Sequence, residues 1–195
     1  MSSPSDQLLQ VVADLLAEQG YEGISVRRVA ARAGVSIGAV QHHFPTKDAM
    51  LTAAMRLVSQ QFQARLEARV PPDATPEAAF RAVAEELLGA EPEQRTASVL
   101  WTLRLARSTV DPVTAKSHAE EWQDVEDLLA GLLWASRPER GQDLTRTEAA
   151  ALLALLDGLA PAVVVEPRRM PAKRAKAILA EHLDQLLGRS EAGPR

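Results

Sequence analysis

The stretch that most constrains this chain runs from Ser25 to Phe44 and reads SVRRVAARAGVSIGAVQHHF. Apolar residues recur at helical spacing on both sides of Gly34, and a serine that can cap a helix opens each half. Glycine adopts the tight turn between the halves at the least steric cost. Two short helices joined in this way form a helix-turn-helix, whose second helix enters the major groove of DNA. An ordinary pair of core helices is the alternative interpretation.

The residues in and around this stretch favour the first interpretation. The run from Leu8 to Leu51 resembles the DNA-binding domain of the tetracycline-repressor (TetR) family of bacterial transcription regulators. The residues that carry the resemblance are Leu16-Ala17-Glu18-Gln19-Gly20-Tyr21, Ser25-Val26-Arg27, Val29-Ala30, Ala33-Gly34-Val35-Ser36, Gly38-Ala39-Val40 and His43-Phe44-Pro45-Thr46-Lys47.

Helical spacing and capping residues along the whole chain predict an all-α fold of about nine helices. The three-helix helix-turn-helix domain occupies residues 1–46, and Val35 in its turn is predicted to point inward. A long fourth helix, from Lys47 to about Arg69, joins it to a helical ligand-binding and dimerisation domain, residues 47–195. Helix 8 is predicted to open with a capping box at Thr145.

The charge of the chain is weakly unfavourable for a DNA-binding protein, because the net charge is −4. The local balance differs: residues 24–51 carry four cations and one acid, a surplus of three. A small basic face on an acidic body suits binding to one specific site. The chain has no cysteine, which is consistent with a reducing cytoplasm, and we expect a cytoplasmic protein.

The segment from Ala149 to Val165 is apolar except for Asp157. A membrane span is the alternative interpretation, but the segment is short for one and carries a charge and a proline. A helix that is apolar on all sides is buried on all sides, so we expect helices 8 and 9 of two subunits to form a four-helix bundle. The family resemblance also implies a homodimer, and residues 155–160 resemble helix 8 of a subgroup that includes choline-responsive regulators.

Base readout is expected from the exposed face of the recognition helix. Gln41, where family members usually carry tyrosine, can pair with an adenine edge, and Ile37 can contact a thymine methyl. Arg28 replaces an acid common in the family, and a phosphate contact or a solvent position is equally open to it. Because His42 and His43 point to different sides of a helix, no metal site is predicted. The predicted DNA-binding residues are Ser25, Arg27, Arg28, Ser36, Ile37, Gly38, Gln41, His42, His43, Thr46 and Lys47.

The resemblance implies an inducer pocket among the helices of the C-terminal domain, and such pockets are mostly apolar with few polar anchors. Tryptophan faces favour a cationic ligand, whereas Arg104 favours an anionic one, and the sequence leaves both open. For each predicted residue the alternative role is core packing. The predicted ligand-binding residues are Phe62, Trp101, Arg104, His118 and Trp122.

The sequence therefore predicts a ligand-responsive regulator, most simply a repressor that a small-molecule inducer releases from a palindromic DNA operator. The alternative is a small-molecule binding or sequestering protein whose helix-turn-helix no longer reads DNA. No cofactor and no membrane association are predicted. An enzyme is disfavoured because the sequence has no P-loop, H-E-x-x-H or G-x-G-x-x-G motif, and because the acidic pairs Glu85-Glu86 and Glu120-Glu121 are typical of solvated helix surface.

Overall fold

A computed structural model describes residues 4–188, which form nine α-helices and two short 3₁₀ turns without a strand. This confirms the predicted all-α class, and α4 has the predicted bounds. The helices are α1 (Pro4–Gly23), α2 (Val26–Ala33), α3 (Ile37–His43), α4 (Lys47–Arg69), α5 (Pro76–Leu88), α6 (Arg95–Ser108), α7 (Pro112–Ser136), α8 (Gln142–Val165) and α9 (Ala172–Leu186).

Side-chain caps position the helix-turn-helix. The Oγ of Ser25 accepts the backbone N–H three residues on at 3.3 Å, Ser36 does the same in α3 at 3.1 Å, and Thr46 Oγ1 does so in α4 at 3.0 Å. Gly34 closes α2 in the left-handed conformation, with φ 68° and ψ 29°. These local signals confirm both the turn and the start of the recognition helix, α3.

The prediction that Val35 points inward is wrong, because 42% of its surface is exposed. Val29 and Val40, on the two helices that flank the turn, are both fully buried. They occupy the interior beneath the turn, so Val35 lies on its outer side.

Two hydrophobic clusters hold the helices together. The first, called here the N-terminal core, joins α1, α2, α3 and the first half of α4, and Phe44 is buried in it as predicted. It also includes Ala97 and Leu100 of α6. The second, the C-terminal core, is formed mainly by α5, α7, α8 and α9. Since the N-terminal core extends into α4 and α6, the division into domains after residue 46 stays a prediction.

The capping-box prediction at Thr145 is wrong. The helix begins earlier, at Gln142, directly after a 3₁₀ turn at Pro138–Arg140. Thr145 is buried inside the first turns of α8, and its hydroxyl donates to the backbone carbonyl of Gln142 at 3.0 Å. Glu148, the other member of the predicted box, forms an ion pair with Arg140 instead.

The α8 helix is long and apolar enough, by length and composition alone, to cross a membrane. Leu152, Leu156 and Leu159 on one side of it are buried in the C-terminal core. Of its most apolar window, 33% is buried within the chain. The other side is therefore apolar and uncovered in the single subunit.

Candidate DNA-binding surface and ligand cavity

The α3 helix presents one open face. Ile37, Gly38, Gln41 and His42 are all exposed, whereas Val40 on the opposite side is fully buried. Ile37 keeps 46% of its surface exposed, so an apolar side chain is available to a thymine methyl. The four residues predicted to read bases therefore share one accessible surface, and their contacts with DNA stay a prediction.

Two arginines of α2 turn back toward α1. Arg28 Nη1 donates to Gln19 Oε1 at 2.8 Å and to the backbone carbonyl of Gly23. Arg32 pairs with Glu18 at 2.8 Å. Arg28 thus fastens the end of α1 to α2, a role that the sequence did not indicate. Its predicted phosphate contact would have to compete with these two hydrogen bonds.

Two further predicted phosphate ligands, Arg27 and Lys47, lie in the helices on either side of α3. Arg27 is exposed, and no hydrogen bond or ion pair holds its side chain among residues 4–188. Lys47 Nζ lies 5.4 Å from the ring centroid of Tyr21 and donates to a backbone carbonyl of α1 at 3.4 Å. The ring centroids of His42 and His43 are 5.6 Å apart and the rings are edge-on, although the sequence predicts that the two side chains point to different sides of the helix. The described residues contain no cluster of three side chains suited to a metal ion.

A polar cluster ties the helix-turn-helix to α6. The hydroxyl of Tyr21, at the end of α1, donates to Asp48 Oδ1 at 2.6 Å. The same oxygen lies 2.8 Å from Arg107 Nη2, and the Arg107 guanidinium lies 4.5 Å from the Tyr21 ring centroid. The hydrogen bond to Asp48, together with burial, raises the pKa of Tyr21. We refer to Tyr21, Asp48 and Arg107 as the Arg107 cluster; sequence reasoning missed it because its members are distant in the chain.

A cavity of about 700 Å³ lies among α4, α5, α6, α7 and α8. This volume is typical of pockets for small molecules and cofactors. The structure places every residue predicted to bind the ligand at its wall, and their role in binding stays a prediction. They are Phe62, Trp101, Arg104, His118 and Trp122.

Two of the three arginines at the cavity wall, Arg65 and Arg104, are paired with carboxylates, and the third, Arg56, is exposed. Arg104 is 4% exposed, and its Nη2 donates to Glu121 Oε1 at 2.7 Å and to Ser117 Oγ at 3.1 Å. Glu86 is also 4% exposed and accepts from Arg65 Nε at 2.5 Å. The prediction that Glu86 belongs to solvated surface is wrong, because Arg65 of a neighbouring helix pairs with it and its side chain is buried. The side chain of Glu121 remains 46% exposed.

Trp122 organises the polar end of the cavity. Its ring centroid lies 4.9 Å from that of Trp101 and 4.6 Å from that of His118. Its indole N–H donates to both carboxylate oxygens of Asp157, at 3.0 and 3.1 Å. In the sequence Asp157 is the one charge of the apolar segment 149–165. That isolation is the available signal for a site residue.

Burial governs the protonation of these groups. Desolvation raises the pKa of Asp157, and the hydrogen bond from Trp122 opposes the rise. Desolvation, followed by the charge of Arg104, lowers the pKa of His118 from 6.5, so its imidazole is neutral at pH 7. Among residues 4–188 no arginine or lysine pairs with Asp157. A carboxylate in an aromatic wall without a cationic partner is suited to bind a cation.

Comparison with known protein families gives two matches that together span most of the chain. Residues 8–60 match the family of bacterial regulatory proteins called the tetR family. Residues 76–188 match the C-terminal domain of BetI-type transcriptional repressors. The transcriptional regulator PksA from Bacillus subtilis is 29% identical over 182 residues, which cover 92% of this chain and 88% of PksA.

Solved structures include similar chains. A transcriptional regulator from Rhodococcus sp. Rha1 is 33% identical with a TM-score of 0.80, covering 99% of this chain and 100% of that one. A regulator from Saccharomonospora viridis, solved in complex with choline, is 21% identical with a TM-score of 0.82. The alignment covers 92% of this chain and 94% of that one. At 21% identity, the similarity to the Saccharomonospora viridis regulator shows a shared fold alone.

Proposed function

This chain belongs to the TetR family of bacterial regulatory proteins, and from that premise we propose a cytoplasmic homodimer that a small cation releases from its operator. The chain is a ligand-responsive DNA-binding transcriptional regulator, as its relatives are. To this general function the proposal adds the DNA contacts, the subunit interface, the ligand class and the absence of catalysis.

The operator is read by α3. Gln41 pairs with an adenine edge and Ile37 packs on a thymine methyl, while Arg27, Thr46 and Lys47 contact phosphates that set the register. In a two-fold dimer the recognition helices reach successive major-groove faces about 34–36 Å apart, so the operator is near-palindromic. The open face of α3 and its capped N-terminus support this assignment.

The subunits pair through α8 and α9. Ala151, Ala154 and Gly158 recur at intervals that place them on one face of α8, and all three are exposed. Ala177 and Ala180 are exposed on α9. Small residues allow helices to approach closely, and a self-complementary patch of this kind suits a two-fold interface. A partner subunit would also cover the apolar side of α8.

Asp157 is the observation that carries the ligand class. The carboxylate is half-buried beside Trp122 and lacks a cationic partner among the described residues, whereas Arg104 is already paired with Glu121. This charge balance favours the cation over the anion, two classes that the sequence left open. The ligand proposed is a small quaternary ammonium, the chemical class of the choline bound to the Saccharomonospora viridis regulator.

Release from DNA follows from unequal affinity. A ligand shifts a conformational equilibrium only to the extent that it binds one state more tightly. The cation must therefore prefer the state whose recognition helices no longer match the operator, and DNA must weaken cation binding by the same factor.

Two binding measurements test the proposal. Operator DNA is first selected from a random pool with the full-length protein, and its affinity is then measured with and without choline. Calorimetry compares choline with its uncharged isostere, 3,3-dimethylbutan-1-ol. We expect choline to bind at least about tenfold more tightly, since a desolvated cation–π contact contributes about 2 kcal/mol, and to weaken DNA binding.

Each part can fail separately. Equal affinity for choline and its isostere would contradict the cationic ligand. Choline binding without any selected DNA would favour the sequestering protein considered from the sequence. Turnover of a bound ligand would contradict the proposed absence of catalysis.

A further inference from the structure

The α6 helix touches both the cavity and the DNA-binding unit. Trp101 and Arg104 line the cavity, and Leu100, on an adjacent side of the same helix, is fully buried in the N-terminal core. One turn after Arg104, Arg107 extends to the Arg107 cluster. A displacement of α6 by a ligand therefore reaches the helix-turn-helix without passing through α8 or α9.

Arg107 contacts the two elements that flank the helix-turn-helix, α1 and α4. Asp48 lies in the first turn of α4, directly after α3, and Tyr21 lies at the end of α1, directly before α2. The guanidinium pairs with Asp48 and covers the ring of Tyr21, and Tyr21 in turn donates to Asp48. In this pair the Arg107 side chain is 24% exposed and the Asp48 side chain is 62% exposed, so solvent screens the charges and the contact of the guanidinium with the Tyr21 ring adds to the attachment.

We propose that Arg107 is the positioning residue through which occupancy of the cavity is transmitted to the recognition helix. The proposal deepens the function proposed above and depends on it. A ligand seated against Trp101 and Trp122 displaces α6, which draws Arg107 away from Asp48 and Tyr21. The start of α4 then loses its fixed position relative to α1, and α3 moves with it.

The competing route runs through α4 itself. Phe62 in the second half of α4 also lines the cavity, and a ligand that pushed this helix directly would move α3 with no need of Arg107. The two routes differ in one respect: only the first loses its ligand response when the Arg107 cluster is broken while the cavity is left intact.

The test compares Arg107→Ala, Asp48→Asn and Arg107→Lys with Arg95→Ala. Arg95 is exposed at the other end of α6, so its variant controls for loss of a charge from that helix. Choline is the probe, and the readout is the ratio of operator affinities without and with choline. Because it is a ratio, a uniform change in DNA affinity cancels.

We expect a ratio of about 5–150 for the wild type and for Arg95→Ala, the usual range of coupling between two sites. Arg107→Ala and Asp48→Asn should bring it to about twofold or less, with choline affinity in the absence of DNA changed less than about threefold. Arg107→Lys keeps a cation opposite Asp48 and should recover part of the ratio. An unchanged ratio in Arg107→Ala would overturn the proposal and favour the route through α4.

A second readout needs no inducer. In a Trp134→Phe background the remaining tryptophans, Trp101 and Trp122, both line the cavity, and operator binding should change their fluorescence. Arg107→Ala should bind operator and lose this change. Persistence of the change in that variant would overturn the proposal even if choline proved to be the wrong ligand. Failure to select any operator would instead refute the proposed function, and the role of Arg107 with it.

Discussion

Gly34→Ala and Gly38→Ala each add one methyl group to the same motif, and we expect their effects on stability to have opposite signs. A Cβ at Gly34 would meet no atom within 4 Å, so the whole cost is conformational, at φ +68°. A left-handed alanine costs about 1–2 kcal/mol. Gly38 lies within α3, where a Cβ would meet only Ser36 Oγ at an ordinary 3.9 Å. Alanine there should stabilise the helix by about 0.5–1 kcal/mol.

The two variants should therefore differ by about 2 kcal/mol in the free energy of unfolding, or about 4–8 °C in Tm for a chain of this length. Far-ultraviolet circular dichroism during thermal unfolding measures the difference. All samples need the same protomer concentration, because a dimer couples stability to association.

For affinity to DNA the order of the two variants should be reversed, so that the more stable Gly38→Ala binds operator more weakly than Gly34→Ala. The methyl of Gly38→Ala projects from the open face of α3, and we expect operator affinity to fall about tenfold or more because the backbone can no longer approach the base edges. Gly34→Ala should bind operator normally at a temperature where it is folded. A lower Tm for Gly38→Ala would contradict the stability argument, and an unchanged operator affinity would show that this face does not bind DNA.

Three further predictions concern the base contacts, the cavity acid and the interface. Gln41→Ala should relax the preference at one operator position by about 1–3 kcal/mol, so that repeating the DNA selection yields a degenerate base there; an unchanged consensus would exclude readout by this side chain. Asp157 has a pKa raised above its ordinary 3.8 by burial, so the folded protein binds this proton more tightly than the unfolded chain. Its contribution to stability should therefore fall as the pH rises from the pKa of the unfolded chain through the raised pKa of the folded protein, while affinity for choline rises. Asp157→Asn should flatten both pH profiles, measured by unfolding and by calorimetry. A choline profile that persisted in this variant would assign the titration to another group. A Cβ at Gly158 would meet nothing within 4 Å inside the subunit, so Gly158→Leu should fold but elute as a monomer in size-exclusion chromatography with light scattering, and a surviving dimer would contradict the α8 interface.

Features that depend on neighbouring residues were predictable from the sequence. The caps at Ser25, Ser36 and Thr46 and the left-handed turn at Gly34 each depend on hydrogen bonds or torsion angles within a few residues. The open face of α3 follows from the same periodicity that buries Val40. Residues that the family resemblance assigned to the pocket also converge on one cavity.

Features that depend on distant partners were not predictable. Glu86 is buried because Arg65 of another helix reaches it, and adjacent acids on a helix give no sign of such a partner. Asp157 becomes part of the cavity only because Trp122 of α7 donates to it. The exposure of Val35 was not predictable either, because the room beneath a turn depends on how the two helices that flank it pack.

The contribution of α6 to the N-terminal core bears on the construction of chimeric regulators. A fusion of residues 1–46 to a foreign sensor would leave behind Ala97 and Leu100, which fill part of the N-terminal core. The transplanted DNA-binding domain would then have an unfilled space in its hydrophobic core, and its orientation would no longer depend on the sensor domain. A functional swap needs a recipient whose own sixth helix supplies equivalent side chains, so compatibility between modules is decided by a helix far from either junction.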